Sequence, residues 1–151
     1  MSGATLTKGG SRRKGRGRAS AAPLRPTPPA PHFVEHRTAD GRRVFLHREV
    51  VADLVALERH QHPRETAGLL FGRLFTDGTH PCVLVRHLIW PEPGEVLGTV
   101  STVTITAEGS TRMLRRALER HPCADPVGWA HTHPTFNAYF SATDRAEQAV
   151  W

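Results

Sequence analysis

The stretch "GWAHTHPTFNAYFSATD" occupies residues 128–144. Two histidines stand one residue apart, Pro134 follows, and after six further residues comes Ser141-Ala142-Thr143-Asp144. On a strand, successive side chains alternate faces, so His131 and His133 point the same way and Thr132 the other. Two neutral imidazoles on one face can close on one cation. Zinc accepts nitrogen and carboxylate ligands, and a catalytic zinc keeps three protein ligands and one open position. The third ligand must be short and anionic and must come from another element. Asp144 suits, because the loop after Pro134 can bring the next helix back over the strand end. The plainer reading is a solvated His-x-His pair and a helix-capping box, Ser141 with Asp144 in place of the usual Glu. Each feature alone is more often structural. Together, with Pro134 fixing the exit from the strand, they point to a metal site.

Hydrolysis at such a metal also requires a general base. No H-E-x-x-H occurs on any predicted helix, so the base must lie elsewhere. Glu65 is the candidate, because it opens the most apolar run in the chain, "ETAGLLFG" (65–72). Its plainer reading is an exposed acid at a strand start, paired with Arg64 or Arg73 and worth little.

Working outward, hydrophobic periodicity gives the elements. Residues 42–47 form a short strand. Residues 48–61 form a helix, with Val51, Leu54 and Val55 toward one side. The apolar run 65–75 is a strand that turns at "TDG" and returns as 82–90, stopped by "PEPG". The β-branched run 98–106 is a third strand. Residues 108–121 are helical with Met113, Leu114 and Leu118 inward, 127–133 are a strand, and 141–151 begin a last helix. The fold class is α/β, a mixed sheet with helices packed against it.

The formal net charge of +6 belongs to one segment. Residues 1–31 hold seven Lys and Arg and no acid, whereas the rest carries 13 Arg against 14 Asp and Glu. The first 31 residues are rich in Gly, Arg and Pro with little apolar surface, and are expected to be disordered. No aromatic interleaves their arginines to stack on bases, so a solubilising tail is preferred over a nucleic-acid arm. Only Cys82 and Cys123 occur. That excludes a disulfide framework and gives a reduced, cytoplasmic protein as the expectation. No run reaches the length of a membrane span, and no apolar segment follows the basic N-terminus as in a secretion signal.

Glu65 before "TAGLLFG", then "HTHP", six residues and "SATD" together resemble the signature of the JAMM (MPN-domain) zinc metallopeptidases, and "GWAHTHPTFNAYFSATD" is similar to that of the AMSH-type deubiquitinases. The resemblance covers about residues 43–151. It implies an MPN/JAMM-like, cytidine-deaminase-like three-layer fold and one catalytic zinc held by His131, His133 and Asp144. It further implies that Glu65 holds the attacking water as general base and later protonates the leaving amine. Ser141 would donate to the developing oxyanion, a contact whose loss typically costs about 10²–10³ in turnover. Thr132 and Pro134 shape the site, and Trp129 packs in the core.

Arg outnumbers Lys eighteen to two, which suggests a bacterial source. For prokaryotic members the resemblance implies a ubiquitin-like or sulfur-carrier protein as substrate, its Gly-Gly tail lying along the cleft as an added strand. Family members continue past the last helix, whereas this sequence stops at Trp151. The expectation is therefore a C-terminal truncation, a partner or second copy completing the sheet edge, or a short domain. Two competing readings are a non-catalytic MPN-type scaffold, and nucleic-acid binding through the basic tail. The intact Glu, His, His, Ser and Asp set argues against the scaffold.

Overall fold

A computed structural model describes residues 32–78, 80–134 and 145. The tail 1–31, Ser141, Asp144 and all but one residue of the last predicted helix lie outside the described residues. The element order is β1 (Phe33–Arg37), β2 (Arg43–His47), α1 (Arg48–Gln61), β3 (Ala67–Asp77), β4 (His80–Ile89), β5 (Val96–Gly98), β6 (Val103–Ile105), α2 (Ala107–Arg120) and β7 (Asp125–His131).

Five strands form one mixed sheet in the order β1-β2-β4-β3-β7. β2 runs parallel to β4 and the other pairs are antiparallel. The parallel pair needs a long crossover, and α1 with β3 supplies it. The two faces of the sheet carry separate cores. Leu69, Phe71 and Ile89 pack with Met113 and Ala117 of α2 on one side. Val85 and Leu88 pack with Val50 and Leu57 of α1 on the other. The result is three layers, helix on sheet on helix, as the α/β reading of the sequence expects.

The helices start where their caps place them. The His47 Nδ1 accepts from the Glu49 N–H ahead of α1, and the Thr106 hydroxyl accepts from the Gly109 N–H at 2.9 Å ahead of α2. Three expectations require correction. α1 buries Val50 and Leu57, with Leu54 of the predicted side packed against them, while Val51 and Val55 are 38% and 41% exposed. Leu118 of α2 also points outward, at 53% exposure, whereas Met113 is buried as predicted. The run 98–106 is two strands, not one. Thr99 N–H donates to the Thr102 carbonyl at 2.8 Å, and the Thr99 side-chain oxygen accepts from the Ser101 and Thr102 N–H groups. This reversal makes β5 and β6 a separate two-stranded ribbon outside the main sheet.

Glu95 stands at the foot of that ribbon and is fully buried. Its carboxylate accepts from Arg116 Nη2 at 2.7 Å, from the Glu92 N–H at 2.8 Å and from Arg112 Nε at 3.2 Å. The Arg116 hydrogen bond above all, helped by the Glu92 N–H and Arg112 and opposed by burial, holds the Glu95 carboxyl down to about 2. Its folded pKa therefore lies below its unfolded value. The stability it contributes is present above about pH 4.5 and is lost as pH falls toward 2. We expect wild type to lose roughly 2–3 kcal/mol through this group over that window, discounted because Arg112 is partly exposed. Glu95→Gln should show a correspondingly flatter fall between pH 5 and 2.5 in urea unfolding.

Candidate active site

Glu65 lies two residues ahead of β3 and is 3% exposed. A carboxylate that deeply buried is costly unless it is paired. Its partner is His133, whose Nδ1 lies 2.9 Å from Glu65 Oε1. The sequence reading that paired Glu65 with Arg64 or Arg73 as an exposed acid does not describe it. The His133 Nε2 in turn lies 2.9 Å from His131 Nε2. Glu65, His133 and His131 thus form one hydrogen-bonded line, which joins Glu65 to a histidine pair more than 60 positions further along the chain.

Sheet register explains why they meet. β3 pairs antiparallel with β7, placing Ala67 opposite His131. One residue further along each segment, the ladder closes with the Thr132 N–H donating to the Thr66 carbonyl at 2.9 Å. The Thr66 N–H donates to the Thr132 Oγ1 at 3.1 Å, so a side chain replaces the missing strand partner at a buried position. His131 and His133 therefore share the face opposite Thr132, as strand alternation predicts.

Three contacts complete the frame. The Trp129 ring stacks on His131 with centroids 4.7 Å apart and planes 23° apart, fixing the plane of that imidazole. Trp129 also packs against the Leu69–Phe71 core, in line with its predicted place. On the other side, the Glu65 N–H donates to the Thr99 carbonyl at 2.6 Å. Gly98 comes so close that a Cβ there would stand 1.9 Å from the Glu65 carbonyl oxygen. The contributions of Thr99 and Gly98 escape sequence reasoning. The only signal is a glycine inside a strand-like run, which marks close backbone approach.

The donor chemistry fits a metal ion. A neutral His133 that donates its Nδ1–H to Glu65 has an unprotonated Nε2, the ligand form, in the manner of outer carboxylates that orient metal-binding histidines. Without a metal, the His131 Nε2–H can donate to the His133 Nε2 at 2.9 Å, and the same two nitrogens, once that proton is gone, would be the pair to hold a metal. Among the described residues no group of three or more His, Cys, Asp or Glu side chains is placed to hold a metal. The structure thus brings Glu65, His131 and His133 together, while Ser141 and Asp144 fall outside the described residues. Cys82 is buried and Cys123 exposed, and both are free thiols. No helix among the described residues is long and apolar enough to cross a membrane.

No curated protein matches the chain. The family model described as prokaryotic homologs of the JAB domain matches residues 47–151, more than two-thirds of the sequence. With a mixed sheet between two helices and the glutamate-bearing segment set against the HTHP strand, the chain belongs to this JAMM/MPN-type family.

Proposed function

We propose that the protein is a zinc-dependent peptidase or isopeptidase that cuts at the C-terminal tail of a ubiquitin-like or sulfur-carrier protein in the cytoplasm. The observation that supports this most is the line from buried Glu65 through half-buried His133 to His131, with 2.9 Å at each step. A structural domain gains little from a buried carboxylate joined to two imidazoles, whereas a hydrolytic centre needs that set.

His131, His133 and Asp144 would hold the metal. Bound zinc supplies Lewis-acid polarisation of the scissile carbonyl and eases the ionisation of water. Glu65 takes the proton of the attacking water and returns it to the leaving amine. Its Oε1 is engaged with His133 Nδ1, which leaves Oε2 as the oxygen that carries the proton. Ser141, three residues ahead of Asp144 in the sequence, would donate to the oxyanion. Thr132 and Trp129 keep the two imidazoles in register with Glu65.

A ubiquitin-like protein extended beyond its Gly-Gly terminus tests the reading. Cleavage after Gly-Gly is expected, abolished by a zinc chelator and restored by added zinc. A folded, zinc-loaded protein that cleaves no such fusion would favour the scaffold reading instead.

A further inference from the structure

The β5–β6 ribbon raises a physical question, because a two-stranded sheet of this size is marginal by itself. It is not hydrogen-bonded into the five-stranded sheet. Yet it supplies both backbone contacts of Glu65, the Thr99 carbonyl at 2.6 Å and the close approach of Gly98. Something must seat the ribbon before it can seat Glu65.

The seat is Glu95. Its backbone carbonyl accepts from the Thr106 N–H at 3.0 Å and from the Thr106 hydroxyl at 3.2 Å, closing the ribbon's open end at the start of α2. Gly109 of α2 lies directly against it, since a Cβ there would stand 2.2 Å from the Glu95 carbonyl oxygen. The side chain reaches Arg112 and Arg116 on the next turns of the same helix. Arg116 also donates to the Trp90 carbonyl at 2.9 Å, binding the strand that leads into the turn. Glu95 is therefore fixed at backbone and side chain to one rigid helix, and Gly98 follows it by three residues.

We propose that Glu95, held by Arg112 and Arg116, is a positioning residue for Glu65: it fixes the β5–β6 ribbon on α2, and the ribbon fixes the Glu65 peptide so that its carboxylate meets His133. The importance of this device rests on the proposed role of Glu65 as the reacting carboxylate. Its geometry does not, and so it can be tested without zinc or turnover.

The probe is the imidazole N–H proton of His133 in the metal-free, full-length protein, observed by NMR. A ring N–H bonded to a buried carboxylate is shielded from exchange and displaced downfield, and its loss in Glu65→Ala assigns it. In Glu95→Gln the signal is expected to be lost or to move upfield while the fold persists. In Val50→Ala, a core variant on the opposite face of the sheet, it is expected to stay, even where the midpoint of unfolding falls by as much. A merely structural role for Glu95 would give both variants the same signal. Should Glu95→Gln not fold, Arg112→Gln removes one donor and leaves Arg116, and the same displacement is expected. An unchanged signal in the folded variant, or no such signal in wild type, overturns the proposal. Zinc content and cleavage, measured separately, report on the proposed function and can fail while this result stands.

Discussion

Glu65→Gln is expected to load zinc as wild type does and to turn over about 10²–10⁴-fold more slowly, the usual worth of a positioned general base. The reason for choosing Gln lies in the contact with His133. Oε1 of Glu65 accepts from the Nδ1 side of that ring at 2.9 Å, and an amide oxygen can accept the same bond. The substitution therefore keeps the imidazole's orientation and tautomer and removes only the ability to take a proton. Glu65→Ala is a different experiment, because it leaves His133 without its buried acceptor. Loss of such an outer partner typically weakens metal binding about 10–100-fold, so the Ala variant should lose zinc at a chelator concentration that the Gln variant survives. Cleavage by Glu65→Gln within a few-fold of wild type would remove Glu65 from the role of base.

The second large effect is expected at Gly98, which carries no charge but lies against the Glu65 backbone. An alanine Cβ there would stand 1.9 Å from the Glu65 carbonyl oxygen and 3.0 Å from its carbon, both backbone atoms. No side-chain rotation can relieve that overlap. Either the ribbon moves away from Glu65 or the chain bears the strain, and roughly 2–4 kcal/mol of stability should be lost. Urea unfolding measures it, with Ser101→Ala, an exposed change in the adjoining turn, as the reference. A Gly98→Ala protein within about 0.5 kcal/mol of wild type would mean that the ribbon does not press on Glu65.

Much of this fold is legible from periodicity. α1 spans the predicted 48–61, and β3, β4, α2 and β7 lie within two residues of prediction at most ends, because long apolar periods mark such elements strongly. β1 is not legible. "FVEHR" shows only two apolar residues, and as an edge strand, most of it exposed, it needs no more. The ribbon is misread for a different reason. β-branched residues favour extended backbone wherever they sit, but they do not announce a chain reversal, which here depends on Thr99 and Thr102 bonding to each other. Val51 and Val55 mislead because four-residue spacing identifies a face of a helix without saying which face is buried.

At the site, residue type and spacing single out Glu65, His131 and His133, and the β3–β7 register brings them together. Spacing does not reveal that Glu65 touches His133 directly, nor that a threonine hydroxyl completes the ladder beside them. Those facts depend on tertiary contacts between segments some 66 residues apart. The Trp129–His131 stack is an intermediate case. Its period-two spacing puts both rings on one face of β7, and only the packing of Trp129 on the core shows that the indole holds the imidazole.

Zinc per chain, measured by elemental analysis on the purified protein and on His131→Ala, tests the central claim most directly. One zinc in wild type and none in the variant is the predicted result. A folded wild type without zinc, or a variant that keeps its metal, would contradict a hydrolytic centre at His131 and His133.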